Sequence, residues 1–232
     1  MIATPTMTGD VCHEYVNALI GMIADLNSRG VAVDLRFYPG CCYLELARNE
    51  LASQFMASDC DRLLFIDADI GGYRPDSAWK LLETQRDLIG GLYPFKVDMP
   101  GFPSTLTATK DGFPNVQFGL VQVDMLPTGF MMISRDVFEC LQIRFPERQL
   151  KRPDGSAIWN YFPQGQVGHE WVGEDVRFCR DWVECGGQIW VLPDLNFCHV
   201  GRKAYHGNWH EWAQRIEGGH LHEAAPTTSS AA

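Results

Sequence analysis

No stretch of this sequence approaches the roughly 18 consecutive apolar residues of a membrane span, and the N-terminus lacks a basic segment followed by an apolar one. Both absences predict a cytoplasmic protein with no transmembrane segment. Positive charge is also scarce. Nineteen Lys and Arg against 29 Asp and Glu leave a net charge of −10, which argues against extensive nucleic-acid binding, though not against a local basic groove. The eight cysteines form no C-x-x-C pair; they lie scattered at 12, 41, 42, 60, 140, 179, 185 and 198. That spacing speaks against a disulfide framework and for buried thiols in a reducing compartment. There is no internal repeat, no G-x-x-x-x-G-K and no G-x-G-x-x-G.

What is present suits an α/β domain. At 232 residues and 46% hydrophobic, the chain can bury one sizeable core. Ile2–Thr6 reads as a first strand, and the spacing of Tyr15, Leu19, Met22, Ile23 and Leu26 as a helix that Gly30 ends. Val31–Phe37 reads as a strand, and Leu44, Ala47, Leu51 and Phe55 as one helical face. Residues 62–66 follow as a short, fully buried strand. Strand, helix, strand, helix, strand argues for a mostly parallel sheet with crossover helices.

Further on, Ser77–Thr84 and Arg135–Leu141 suit helices, and Asp87–Tyr93 and Phe130–Ser134 suit strands. Ser104–Thr109 and Asn115–Val123 suggest a small β-hairpin about the turn signal Asp111-Gly112. Residues 145–170 read as a long loop, Glu174–Cys185 as a helix and Gln188–Val191 as a last strand. One domain is expected over residues 1–223, with a disordered Ala, Pro, Thr and Ser tail at 224–232.

The segment Leu63-Leu64-Phe65-Ile66-Asp67-Ala68-Asp69-Ile70 organises the rest. Alternation along extended chain sends Asp67 and Asp69 to the same side at a strand's C-terminal end, where ligands of parallel sheets gather. Two hard oxygen ligands suit Mg²⁺ or Mn²⁺ on a nucleotide's phosphates. An isolated D-x-D more often only shapes a turn, so the remaining candidates matter. Arg48, on the helix before, has the planar fork that matches a diphosphate, or is simply a solvated helix arginine. Glu174 and Asp175 open a helix, where acidic residues commonly just complement the dipole; one of them could instead take a proton from an attacking hydroxyl. His199 is a possible third metal ligand beside the two aspartates. His206 with His210, or His220 with His222, would make a separate zinc site that no cysteine pair supports.

Taken in order, Ala3-Thr4-Pro5-Thr6, Ala47-Arg48-Asn49, Phe65-Ile66-Asp67-Ala68-Asp69, Thr128-Gly129-Phe130-Met131-Met132-Ile133, Gly173-Glu174-Asp175 and His199 resemble a nucleotide-sugar-dependent glycosyltransferase of the GT-A fold, family 2-like. The resemblance spans roughly residues 1–205. It implies a single Rossmann-like domain and a nucleoside diphosphate sugar donor. It also implies a Mn²⁺ or Mg²⁺ ion on Asp67, Asp69 and His199. Thr4, Pro5 and Thr6 would line the base pocket, Arg48, Asp67 and Ala68 would complete the donor site, and Asp175 beside Glu174 would be the base. The hydroxyl acceptor is open, since no acceptor domain is evident. Two other readings stand beside it: a nucleotidyltransferase that makes the sugar nucleotide, and a silent sugar-nucleotide or carbohydrate-binding module. The first would want a basic, glycine-rich first loop, and Pro5–Asp10 carries no Lys or Arg.

Overall fold

The computed structural model describes residues 1–99, 101–107 and 113–214. Strand β1 (Ile2–Thr6) is buried throughout and leads to α1 (His13–Ser28). The Cys12 thiol caps α1 by accepting the Tyr15 N–H, and Tyr15, Leu19, Met22 and Leu26 form its buried stripe. Strand β2 (Leu35–Pro39), α2 (Leu44–Met56) and β3 (Arg62–Ile66) follow. Next come β4 (Ile70–Gly71), α3 (Ser77–Glu83) and β5 (Leu88–Gly90). Then β6 (Val116–Gln117), β7 (Leu120–Val123), β8 (Phe130–Ser134) and α4 (Arg135–Arg144) complete the middle of the chain. The last third holds β9 (Gln149–Lys151), β10 (Ala157–Trp159), β11 (Gly165–Val167) and β12 (Glu170–Val172). It ends with α5 (Glu174–Glu184), β13 (Ile189–Val191), β14 (Asn196–Val200), β15 (Ala204–Asn208) and α6 (Trp209–Gln214).

Eight strands form one sheet in the order β2-β1-β3-β8-β5-β13-β7-β6. Only β8 and β7 run against the other six, so the sheet is mixed in pairing while mainly one-directional. Alternation along β3 divides the core. Leu63 and Phe65 join Leu51, Phe55, Phe138 and Phe178 on one face, beneath α2, α4 and α5. Leu64 and Ile66 join Tyr15, Met22 and Leu81 on the other, beneath α1 and α3. The result is a three-layer α/β/α domain, as the strand–helix alternation implies.

Several sequence expectations change. Asp87–Tyr93 is a strand only over Leu88–Gly90. Val31–Phe37 becomes a strand only from Leu35. Asn115–Val123 is not one strand but a hairpin, bent at Phe118 and Gly119 with φ of 52° and 77°; the paired positive φ values are those of a tight two-residue turn. Its inner strand is bridged by Leu106. Residues 145–170 are no loop: β9 pairs with β10, and β11 with β12. Finally, Gln188–Val191 is not the last strand, because β14 pairs with both β15 and β4 in a second, three-stranded sheet. The expected turn at Asp111-Gly112, His220, His222 and the tail from 224 lie outside the described residues. All eight cysteines are free thiols, but against expectation only Cys179 and Cys198 are buried, Cys42 being exposed and the other five partly so; no described helix is long and apolar enough to cross a membrane.

Candidate active site

The D-x-D segment leaves the C-terminal end of β3 and is pinned through its backbone from three directions. The Asp67 N–H donates to Gly129 O, Ala68 O accepts from Cys12 N–H, and Asp69 O accepts from Val200 N–H, at 3.1, 3.0 and 2.8 Å. This convergence follows from topology. Since β8 is antiparallel to β3, with Ile66 opposite Phe130, the residues entering β8 meet those leaving β3. The β4–β14 pairing brings His199 opposite Ile70.

The expected same-side placement of the two aspartates is overturned: β3 ends at Ile66, so Asp67 and Asp69 lie in the turn that follows rather than on extended chain, and they point apart. Asp67 faces inward to Arg48, whose side chain is only 1% exposed and whose Nη2 lies 3.1 and 3.2 Å from the two carboxylate oxygens. Only the contact to Oδ2 is directed as a hydrogen bond, so buried Oδ1 keeps an unfilled lone pair. Arg48 Nε reaches Glu174 Oε1 at 3.4 Å, its plane rests over Phe65, and its buried Nη1 has no partner. Burial opposes the Arg48 charge, but Asp67 and Glu174 outweigh it and hold the guanidinium protonated. Burial also pushes the Asp67 carboxyl above its usual range, with Arg48 opposing. Asp69 faces outward to Lys96, Nζ to Oδ2 2.5 Å, with His199 Nε2 3.8 Å from Oδ1.

His199 Nδ1 lies 2.8 Å from Pro94 O. A carbonyl only accepts, so Nδ1 carries the proton and Nε2 presents its lone pair toward Asp69. Burial lowers the His199 pKa, which keeps the ring neutral at neutral pH. Asp175 is raised above the usual carboxylate range, first by burial and then by its neighbour Glu174; its Oδ1 accepts the Val176 N–H at 2.7 Å. Of the basic neighbours on α5, Arg177 pairs with Asp181 and Arg180 with Glu170, so neither meets the pair.

A cleft of about 530 Å³ opens beside Asp67, Ala68 and Asp69, walled by Pro5, Thr6 and Leu44. Thr6 shapes its rim, its hydroxyl donating to Asp10 O and accepting from Gly9 N–H. Thr4 is fully buried behind it, hydrogen-bonded to Tyr15. A larger cleft, of about 800 Å³, lies at the opposite end of the strands around Met1 and Arg62, away from these carboxylates.

Two residues at the site escaped the sequence reading. Tyr93 is buried, accepts the Gly129 N–H at 3.1 Å and sets its ring edge-on to His199. Lys96 follows three residues later. Both succeed β5, whose C-terminal end shares the edge with β3, and that rule was the available signal. The glycine before β8 is required here: a Cβ on Gly129 would stand 2.5 Å from Tyr93 Oη and 2.9 Å from Asp67 Oδ2. Gly129→Ala is therefore expected to destabilise the fold by about 1–3 kcal/mol. An unchanged urea midpoint would show the contact to be slack.

In donor type, Asp67, Asp69 and the His199 Nε2 lone pair fit a hard divalent cation, and the unfilled lone pair on Asp67 Oδ1 suits one. As they stand, no group of three His, Cys, Asp or Glu among the described residues is gathered closely enough to hold a metal ion.

The chain matches no protein-family model and no curated protein sequence. Among solved structures it is similar to A197 from STIV, at 18% identity, TM-score 0.48 and 86% and 84% coverage of the two chains. It is also similar to 4-diphosphocytidyl-2C-methyl-D-erythritol synthase from Anaerococcus prevotii, at 10% identity, TM-score 0.34 and 79% and 95% coverage. A third likeness is to HddC from Yersinia pseudotuberculosis complexed with GMP-PN, at 12% identity, TM-score 0.32 and 79% and 97% coverage.

Proposed function

We propose that this chain is a metal-dependent glycosyltransferase that moves a sugar from a nucleoside diphosphate sugar to a hydroxyl acceptor. The observation that carries the reading is an open cleft lined by the D-x-D pair, with the neutral imidazole of His199 beside Asp69 and the raised carboxylate of Asp175 near Arg48, the partner of Asp67. The cleft wall has Pro5, Thr6, Leu44 and Ala68 but no Lys or Arg. The first loop, Pro5–Asp10, likewise carries no Lys or Arg to cradle a triphosphate, the nucleotidyltransferase case, which favours a diphosphate donor neutralised chiefly by a cation.

The nucleotide would lie along the Thr6 loop with its diphosphate toward Asp67 and Asp69. Those aspartates and His199 would hold a Mn²⁺ or Mg²⁺ ion, which when bound offsets charge gathering on the leaving diphosphate. Arg48 keeps Asp67 and Glu174 in place, and a phosphate oxygen could satisfy its unpartnered Nη1. Asp175 takes the acceptor's hydroxyl proton as the new bond to the anomeric carbon forms and the bond to the diphosphate oxygen breaks. Its raised pKa makes it a stronger base than an ordinary aspartate once ionised.

Turnover of a panel of sugar nucleotides, with Mn²⁺ and with a chelator, tests the reading. Asp69→Asn should lower metal affinity and activity at least about tenfold while leaving stability nearly untouched, because Asp69 is 39% exposed. Activity that ignores both the chelator and this substitution would overturn the metal assignment.

A further inference from the structure

We propose that Lys96 holds the cation's place on Asp69, and that on metal binding its ammonium moves to the donor's diphosphate. This inference rests on the glycosyltransferase reading and adds to it a coupling between the two ligands.

Lys96 is anchored at its base and free at its tip. The preceding Pro94 carbonyl is held by His199, and the Phe95 N–H donates to Gly101 O, closing the segment on itself. The stem lies against Gly201, where a Cβ would come 3.0 Å from Lys96 Cδ. The ammonium makes one hydrogen bond among the described residues, to Asp69 Oδ2 at 2.5 Å. Both partners are more than a third exposed, and a pair so open to water is weak and readily exchanged.

Charge explains why a placeholder is useful. Asp67, Asp69, Glu174 and Asp175 come together at this edge, and among the described residues the cations paired with them are Arg48 and Lys96. Arg48 is buried and committed to Asp67 and Glu174, so Lys96 alone can leave. A divalent ion on Asp69 would use the same oxygen and repel the ammonium. The stem's packing on Gly201 keeps the displaced group close, and the nearest new anion is the diphosphate bound to that ion. An ammonium is a compact point charge with three rotatable donors, able to change partners in this way. Metal and diphosphate should therefore bind with positive coupling.

The test uses the full chain and two probes, Mn²⁺ alone followed by electron paramagnetic resonance of the free ion, and inorganic pyrophosphate in saturating Mg²⁺ followed by calorimetry. Asp69→Asn supplies the background for Mn²⁺ held elsewhere. Lys96→Met should tighten Mn²⁺ binding about two- to fivefold and weaken pyrophosphate binding about tenfold or more. Lys96→Arg, which keeps the charge, should follow the wild type in direction on both. If Lys96→Met leaves Mn²⁺ affinity unchanged or weaker, the placeholder role is overturned while the proposed activity stands. Pyrophosphate binding that ignores the substitution overturns the second half. A wild-type chain that binds no Mn²⁺ above the Asp69→Asn background overturns this inference and the metal assignment together.

Discussion

Asp175→Asn is expected to cut turnover by about 10²–10⁴-fold, to leave donor affinity nearly unchanged and to make the protein more stable at neutral pH. The three effects share one origin. Asp175 sits at the start of α5, half-buried and beside Glu174, so its charged form is disfavoured. Asparagine keeps the oxygen that accepts the Val176 N–H but cannot take a proton. The sign of the stability effect follows from linkage. The folded pKa lies above the unfolded value near 3.8, so the unfolded chain loses its proton first as pH rises. The aspartate's stabilising contribution is complete below that value and is lost as pH climbs through the folded pKa. The asparagine variant's advantage should thus be present at pH 7 and vanish in acid. Wild-type turnover should rise with pH through a midpoint above the usual carboxylate range, and that step should be missing from the variant. Glu174→Gln should behave differently, losing stability through its contact with Arg48 and far less turnover. Loss of donor binding in Asp175→Asn would make that residue a donor ligand, and a larger turnover loss in Glu174→Gln would reverse the two roles.

Arg48→Met should destabilise the fold by about 3–5 kcal/mol, roughly a 6–20 °C fall in midpoint for a domain of this size. Methionine fills similar space but leaves Asp67 and Glu174 facing a buried site with no countercharge, their side chains only 24% and 15% exposed. The Phe65 face would lose its cation as well. Adding Asp67→Asn should recover part of the loss, because the second change removes a charge that the first had stranded. A single Arg48→Met variant within about 1 kcal/mol of wild type would mean that water already reaches the pair and screens it.

What the sequence revealed about this site depended on the range of the interaction. The place of the D-x-D segment at the end of β3 was legible, but the opposite directions of its two carboxylates were not, because the turn after Ile66 breaks the alternation. The separation between Glu174 and Asp175 was legible too, since adjacent helical residues point about 100° apart. Arg48 was readable as a site residue, but not its partners, because Glu174 lies 126 positions away. Lys96 carries no motif; only its position after β5 marks it. In the fold, long buried segments such as Ile2–Thr6 and Phe130–Ser134 announced themselves. The three-residue strands between 149 and 172 did not, because most of their side chains are exposed and too few to show a period. The signal at Asp111-Gly112 drew attention from Phe118-Gly119, where a phenylalanine with positive φ sits in a place that composition assigns to Asn or Gly.

The position of β13 has a consequence for the order in which the molecule is made. It lies between β5 and β7 in the sheet, although it is the last of the eight strands in the chain. As the polypeptide leaves the ribosome, β5 therefore waits with one edge open, a row of unpaired amides and carbonyls. The hairpin of β6 and β7 has no place in the sheet until residues 189–191 emerge. The same late segment follows α5 directly, so closing that edge and seating Glu174 against Arg48 belong to one stretch of synthesis. A nascent chain halted before Ile189 holds a complete D-x-D strand and an adhesive sheet edge, the kind of intermediate that chaperones recognise.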